Sequence, residues 1–143
     1  MAVIRPLSDD ECLGVLSEVG WGRLATVSDA GPYAVPMLYV VAERSLRFYT
    51  LPGRKLDALR QHPNGVTMEV DDIATTAAWR SVIVVGRFTE TDATVRQSLV
   101  EAFSGRAARF CAEALRDVQE PSAIFGKIEI EQLSGRAMQP DAG

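Results

Sequence analysis

Cysteine and histidine are scarce in this chain of 143 residues, which has two cysteines and one histidine. Cys12 and Cys111 form no CxxC pair and have no histidines near them, so the sequence predicts neither a zinc site nor a disulfide framework. The histidine, His62, precedes Pro63 at a predicted helix end, where we expect it to interact with the helix dipole rather than to act as a catalyst. A Ser-His-Asp triad would need His62, and the chain has no G-x-S-x-G motif.

The chain also has fewer basic residues than acidic ones, 15 against 19, and it has no long apolar run. The formal net charge is −4 and the isoelectric point is about 5.0, a balance that disfavours non-specific binding to nucleic acid or to an anionic membrane. No apolar run approaches the roughly 20 residues that a membrane-spanning helix needs. Arg5 and Pro6 interrupt the N-terminal apolar residues, so we predict no signal peptide. We therefore expect a cytoplasmic protein that binds neither nucleic acid nor membranes.

The remaining composition is typical of a globular protein, with 47% hydrophobic and 24% charged residues. No repeat or low-complexity linker divides the chain, and its length suits one domain, so we predict a single domain over residues 1–143. The adjacent acids Asp71 and Asp72 indicate a solvated turn at a strand end rather than a metal site.

The helical signals in the sequence are short. Residues 8–19 predict a first helix, because Ser8 and Glu11 have the spacing of a capping box and apolar residues follow at helical intervals. Asp92 is placed to cap a later helix. Three further short helices are predicted, over residues 54–62, 93–103 and 106–117.

Most of the chain has a β pattern. Six strands are predicted, over residues 22–28, 33–42, 45–50, 65–71, 79–90 and 123–133. The stretch 33–42 is so apolar that we expect both of its faces to be buried, and Pro36 within it indicates an edge or a bulge. Gly86 predicts a bend or bulge, and the residues from Ala137 onward predict a loose tail. The pattern favours a mainly β fold with short helices, a six-stranded antiparallel barrel.

The segment FYTLPGRK, residues 48–55, carries the strongest chemical signal. A strand ends at Tyr49 and Thr50, a Pro-Gly turn follows, and a helix begins with Arg54 and Lys55. The free N–H groups and the partial positive charge of a helix N-terminus favour a bound phosphate. The helix dipole disfavours cations at that position, and a bound anion would offset this effect and explain why Arg54 and Lys55 occur there. A solvated basic surface also explains the pair. The segment is not a Walker loop, because G-x-x-x-x-G-K-[ST] is missing.

The order of these features resembles the pyridoxamine 5′-phosphate oxidase-like superfamily of FMN-binding split barrels. Over about residues 20–92, the pattern comprises a D-x-G-P turn, a long strand, F-Y-T-x-x-G-R-K, an H-P-x-x-V strand and a V-x-V-x-G strand. The F-Y-T-x-x-G-R-K segment is its specific part. The resemblance implies a six-stranded split β-barrel that forms a homodimer, with FMN in two equivalent sites at the subunit interface.

The resemblance also implies which residues contact the cofactor. Arg54 and Lys55 match the basic pair that holds the FMN phosphate. Tyr49 and Thr50 match the strand-end pair beside the phosphate and the ribityl chain. The strand that runs along the isoalloxazine ring corresponds to four consecutive residues, Val35, Pro36, Met37 and Leu38.

Three further flavin contacts are implied, and two positions depart from the family. Ser81 matches a polar side chain from the neighbouring subunit, and Trp79 and Arg136 are placed to approach the flavin. Val35 stands where the vitamin B6 oxidases have an arginine, and their late Arg-x-His motif is missing, so vitamin B6 oxidation is not expected. Tyr49 stands where nitroimidazole-reductase-like proteins commonly have a histidine, which argues against nitroimidazole reduction.

The expected function is an FMN-dependent oxidoreductase that transfers hydride to or from a small molecule, with no side chain singled out as catalytic. A reductase using the deazaflavin F420 is the nearest alternative. It would need extra basic residues, for which Arg106, Arg109 and Arg116 are available unless they form a solvated helix face. A barrel that stores or senses flavin or binds haem, and a dimer that has lost its cofactor, remain open. Val35 in place of arginine keeps the last alternative open.

Overall fold

The computed structural model describes residues 2–104 and 108–140, excluding the side chains of residues 108–112. The predicted basic residues Arg106 and Arg109 and the side chain of Cys111 therefore lie outside the described part. The strands are β1 (Val3–Pro6), β2 (Trp21–Ser28), β3 (Gly31–Leu38), β4 (Val40–Ala42), β5 (Ser45–Thr50), β6 (Val66–Thr75), β7 (Ala78–Thr91) and β8 (Ile124–Gln139). The helices are α1 (Asp9–Val19), α2 (Arg54–Gln61), α3 (Arg96–Ser104) and α4 (Ala108–Asp117), and a short 3-10 helix over Ala93–Val95 leads into α3.

The strands form one antiparallel sheet in the order β3-β2-β6-β7-β8-β5-β4, and β1 pairs with the far end of β8. The long pairing of β7 with β8 runs from Trp79 opposite Met138 to Thr91 opposite Phe125. Over the described ranges β3 and β4 are the two ends of the sheet, so the sheet curves around a core without closing. The prediction of a mainly β, antiparallel fold with short helices is confirmed.

The predicted count of six strands is wrong, in part because residues 33–42 form two strands. The strand is interrupted between β3 and β4 at Tyr39, which is completely buried. The Tyr39 N–H donates to the Gly20 carbonyl at 3.1 Å, and its hydroxyl donates to the Leu16 carbonyl at 2.7 Å. These bonds tie the residue to the end of α1 and take it out of the strand ladder.

The two ends of the chain provide the other missing strand. β1 consists of exposed residues and ends at Pro6, so it has no alternating pattern that a sequence would show. It pairs with the end of β8, where Arg5 lies opposite Ala137. The residues from Ala137 to Gln139 are consequently strand, and the predicted loose tail begins too early.

Within the described part of the chain, one face of β3 is covered and the other is not, which corrects the expectation that both faces are buried. Val35 and Met37 face the core, and Val35 lies opposite Leu24 of β2. Ala34 and Pro36 on the other face are exposed. The edge position predicted from Pro36 is confirmed, since the missing N–H of proline costs no ladder hydrogen bond on the open side of an edge strand.

Two apolar clusters hold the elements together. The larger one fills the curved sheet beneath α1 and α2, and its members include the fully buried Leu16, Leu24 and Met68. The smaller one packs α3 and α4 against the start of β8 through Phe103 and Phe125, among others. Each large side chain buried in this way contributes about 1.5–3 kcal/mol.

The predicted capping box of α1 is confirmed. The Glu11 N–H donates to the Ser8 hydroxyl and the Ser8 N–H donates to the Glu11 carboxylate, both at 3.2 Å. Hydrogen bonds from Arg5 and from the Ser8 backbone lower the pKa of Glu11 to about 2. The helix ends at Gly20, whose φ of 74° is the left-handed conformation that glycine adopts most easily.

The predicted irregularity at Gly86 is a β-bulge. Val85 and Gly86 are consecutive in β7, but their partners in β8, Gln132 and Ile130, are two residues apart. The extra residue therefore lies in β8, and the two backbones approach closely beside it. A Cβ atom on Gly86 would overlap the carbonyl oxygen of Glu129, which belongs to the backbone and cannot rotate away.

The outer face of the sheet carries an acidic pair, Glu69 and Asp71 of β6. One nitrogen of the Arg23 guanidinium lies 3.6 Å from an oxygen of each carboxylate. Partial burial, reinforced by the neighbouring Asp71 carboxyl, raises the pKa of Glu69 to about 6, against the opposing effects of Arg23 and the Ser81 hydroxyl. The native protein therefore binds a proton at Glu69 more tightly than the unfolded chain does.

We expect Gly86→Ala to lower the free energy of unfolding by about 1–3 kcal/mol, because the added methyl group can be accommodated only by moving backbone. Urea denaturation measures this change. Gly14→Ala is the matched control: a Cβ at Gly14 meets open space in the middle of α1, so alanine there should stabilise the helix by up to about 1 kcal/mol. A Gly86→Ala protein as stable as wild type would contradict the close approach.

We expect Glu69→Gln to become more stable relative to wild type as the pH rises. The native pKa of Glu69, about 6, lies above its ordinary value of 4.5, so ionisation of Glu69 costs stability as the pH rises from about 4.5 to 6. Thermal unfolding between these pH values and above should show a Tm difference that grows and then levels off. Glu120→Gln, at an exposed site, should show no such change, and equal behaviour of the two variants would contradict the assignment.

Candidate functional site

A cleft of about 570 Å³ lies where the end of β3, the end of β5 and the start of α2 meet. Its volume is within the range of small-molecule and cofactor sites. Seven of the predicted cofactor contacts line it: Pro36, Met37, Leu38, Tyr49, Thr50, Arg54 and Lys55. The fold therefore brings together, in one cavity, residues that are up to nineteen positions apart in the chain.

One end of the cleft is formed by the first turn of α2. Its N-cap residue is Gly53, which has no side chain that could cap the helix. Backbone N–H groups of the first turn therefore remain available to a ligand. The Arg54 guanidinium carbon lies 4.5 Å from the centre of the Tyr33 ring, and its Nη2 atom lies 3.4 Å from the Ser28 hydroxyl oxygen. Ser28 in turn donates to the Gly31 carbonyl at 2.9 Å. These contacts hold the guanidinium beside the cleft.

Lys55 occupies an unfavourable environment at the same end. Its side chain is partly buried, and burial lowers its pKa. Among the described residues, no carboxylate forms an ion pair with it. A desolvated ammonium group without a counter-ion is costly, and an anion bound at the start of α2 would offset that cost. The residues present therefore fit a phosphate group.

Tyr49 and Thr50 form the floor between the two ends. Burial, together with the carboxylates of Asp117 and Glu113, raises the pKa of Tyr49 to about 12. Its phenol is therefore neutral at physiological pH and able to donate a hydrogen bond. The ring packs edge-on against Phe103, with 6.1 Å between ring centres. Thr50 is buried, and its hydroxyl donates to the next carbonyl at 3.1 Å.

The other end of the cleft is apolar. Pro36, Met37 and Leu38 line one side, and Trp21 lies directly opposite Leu38 across the β2–β3 pair. The Arg23 guanidinium carbon lies 5.3 Å from the centre of the Trp21 ring. An apolar, partly aromatic wall beside a cationic helix N-terminus is suited to a flat ring system that carries an anionic tail.

The other four predicted contacts lie outside the cleft. Val35 faces inward and packs against the larger apolar cluster. Trp79 and Ser81 line a second cavity, of about 360 Å³, on the outer face of the sheet. Arg136 lies opposite Ser81 in the β7–β8 pair. Within one chain these residues do not reach the cleft, so their contact with a cofactor stays a prediction.

Three residues of the cleft lie outside both the predicted contacts and the FYTLPGRK segment. Trp21 begins β2, and its position opposite Leu38 depends on strand pairing. Tyr33 lies opposite Thr26 in the β2–β3 hairpin, and the hairpin register would have been needed to find it. Asp117 comes from the end of α4, far along the chain, and no local pattern marks it.

The described residues also bear on metal and membrane binding. Within residues 2–104 and 108–140, no group of three or more His, Cys, Asp or Glu side chains is arranged to hold a metal ion. Asp71 and Asp72 lie within β6 rather than in the predicted turn, because that strand continues to Thr75. Asp72 instead pairs with Arg80 at 2.5 Å. No helix in the described chain has the length and apolar character needed to span a membrane.

Comparison with known proteins identifies the family. The family described as pyridoxamine 5′-phosphate oxidase matches residues 8–137. The uncharacterised protein RA0666 of Rhizobium meliloti (strain 1021) is 36% identical over 144 residues, which cover 94% of this chain and 95% of that protein. Both matches extend well beyond residues 20–92, to which the sequence resemblance applied.

Solved structures show the same fold. A FAD-binding protein of Mesorhizobium loti, mll6688, is 32% identical, with a TM-score of 0.77 over 98% of this chain and 100% of that chain. A FAD-binding protein of Mycobacterium smegmatis is 23% identical, with a TM-score of 0.63 over 94% of this chain and 98% of that chain, and supports the fold alone. The chain therefore belongs to the pyridoxamine 5′-phosphate oxidase family and has its split-barrel fold.

Proposed function

We propose that this protein is a flavin-dependent oxidoreductase that holds the FMN moiety of its cofactor in the cleft and acts on a small molecule. The observation that carries the proposal is the pair Arg54 and Lys55 at the uncapped start of α2, next to an apolar wall. The flavin-binding relative from Mesorhizobium loti supports the same cofactor class. When bound, a flavin supplies the redox chemistry of hydride transfer, and the protein supplies binding and orientation.

The proposed orientation follows from the charges in the cleft. The first turn of α2 would hold the phosphate, with Arg54 placed to contact two of its oxygens and Lys55 providing a point charge. Trp21 and the end of β3 would flank the ring and keep water from its edge. The neutral Tyr49 phenol lies between the two and can donate a hydrogen bond to the cofactor.

A homodimer is part of the proposal. The outer face of the sheet exposes large apolar side chains, including Ile73, which is 65% exposed, and Ile83, which is 46% exposed. Exposed apolar residues on one face mark an interaction surface. Ser81 lies on the same face, so a second copy covering it would bring Ser81 and its neighbours toward the partner's cleft.

FMN chemistry is favoured over F420 by the charge at the mouth of the cleft. F420 carries a longer acidic tail than FMN. Asp117, which lines the cleft, and Glu113 of the same helix would repel such a tail. Arg116 is exposed in the last turn of α4 and does not line the cleft.

We expect the purified wild-type protein to bind FMN with quenched flavin fluorescence, and Arg54→Ala/Lys55→Ala to weaken this binding at least about 100-fold. Charge-assisted hydrogen bonds contribute about 1.5–3 kcal/mol each, and two are lost. Fluorescence titration measures both affinities. Wild-type protein that takes up neither FMN nor FAD would sink the proposed function.

Two controls make this titration specific for the phosphate. Riboflavin has no phosphate, so its affinity should be the same for wild type and the double variant. Arg60→Ala removes a cation from the other end of α2, where Arg60 pairs with Glu90 at 2.7 Å, and should leave FMN affinity unchanged. An equal loss for riboflavin and FMN would show that Arg54 and Lys55 do not hold the phosphate.

We expect Ile83→Glu to convert the protein from dimer to monomer, because its carboxylate would lie directly opposite Glu69, and covering two like charges at an interface is costly. Sedimentation velocity at several concentrations measures the association state. Val3→Glu is the control, since Val3 is also exposed but lies on β1, away from the β6–β7 face. A wild-type protein that sediments as a monomer at all concentrations would refute the dimer.

A further inference from the structure

The cleft lies between the ends of two helices that have opposite polarity. The first turn of α2 lines one part of the cleft, and Asp117, the last residue of α4, lines another. A helix N-terminus carries a partial positive charge and a helix C-terminus a partial negative charge. The charged side chains have the same sign as the helix ends, since Arg54 and Lys55 begin α2 and Asp117 ends α4. Each helix end therefore concentrates charge of one sign at the cleft.

Asp117 occupies an unfavourable position for a carboxylate. The dipole of α4 disfavours negative charge at the last residue of the helix. Among the described residues, no lysine or arginine forms an ion pair with Asp117. The adjacent Arg116 is exposed and does not line the cleft. The negative charge of Asp117 is therefore available to a ligand, and a bound cation would offset the unfavourable effect of the dipole.

The charges at the two helix ends do not neutralise each other. Burial raises the pKa of Tyr49, and the carboxylates of Asp117 and Glu113 raise it further, to about 12. Burial lowers the pKa of Lys55, and no carboxylate opposes this effect. Asp117 therefore lies near the Tyr49 phenol and too far from Lys55 to neutralise it. Positive and negative charge occupy separate parts of one cleft.

A bound flavin phosphate would leave Asp117 without a counter-ion. A phosphate monoester carries a charge of about −1.5 to −2 at pH 7, which offsets the two positive charges of Arg54 and Lys55. The charge of Asp117 remains, and Glu113, four residues earlier on α4, adds to the negative potential. The cleft with its cofactor therefore has a net negative charge. Such a site attracts cations and repels anions.

We propose that the substrate of this site is a small molecule with a positively charged group, which Asp117 binds beside the Tyr49 phenol. The inference rests on the proposed function, since the phosphate of a flavin must occupy the start of α2. It adds the sign of the substrate's charge and names Asp117 as the residue that selects for that charge. Glu113 is exposed and does not line the cleft, so it attracts the cation without contacting it.

Isothermal titration calorimetry of the FMN-loaded protein with three probes tests the proposal. Benzylammonium, benzyl alcohol and benzoate have similar shapes, and they are positive, neutral and negative. Wild type should bind benzylammonium at least about tenfold more tightly than benzyl alcohol, as expected for one charge-assisted hydrogen bond, and benzoate most weakly. Asp117→Asn should lower benzylammonium affinity by about tenfold and leave benzyl alcohol affinity unchanged. Asparagine keeps the shape of the side chain and removes the charge that the dipole disfavours, so the Tm should not fall.

Asp10→Asn is the matched control, because it makes the same substitution at an exposed position of α1 that does not line the cleft. This variant should bind the three probes as wild type does. Equal binding of the probes by wild type would overturn the proposal, as would a cation preference that Asp117→Asn retains. Weaker binding of both FMN and riboflavin by Asp117→Asn would also overturn it, because Asp117 would then bind the ribityl chain. Wild-type protein that takes up no flavin would instead overturn the proposed function.

Discussion

The start of α2 is the constraint on which the rest of the site depends. Two cations occupy the first turn of a helix, where the dipole disfavours them, and one of them, Lys55, is also partly buried. In isolation this arrangement costs stability. It becomes favourable when an anion accepts hydrogen bonds from the helix N–H groups and from both side chains together. The apolar wall and the neutral Tyr49 line the same cleft and are placed to contact the rest of a ligand whose anionic group is bound there.

The break between β3 and β4 creates the space beside this helix. Tyr39 is fixed to the end of α1 by its backbone and its hydroxyl, so β3 stops at Leu38 and the sheet does not close there. Leu38 and Tyr49 then pack against the smaller apolar cluster beneath α3 and α4. That cluster has two consequences: it stabilises the open end of the sheet and it forms one side of the cleft. The opening is therefore supported by packing rather than left as a gap in the core.

Local signals in the sequence predicted local features well. The capping box at Ser8, the irregularity at Gly86 and the position of Arg54 and Lys55 at the start of a helix each depend on a few neighbouring residues. Features that depend on distant partners were missed: β1 forms only because β8 extends to meet it, and Asp117 reaches the cleft only through the packing of α4. The apolar run over residues 33–42 was misread for the same reason, since hydrophobicity indicates burial but does not say which face of a strand is covered.

A second copy of the chain would complete the proposed site. The cleft lies at one edge of the sheet, while Trp79 and Ser81 lie on its outer face, and one chain cannot bring the two together. A two-fold dimer presents each surface to the other copy twice, so a single interface would complete two equivalent sites. The outer face also holds Glu69, whose pKa is already raised. Covering it with a second copy would remove more water from this carboxyl, so assembly of the proposed dimer would favour its protonated form.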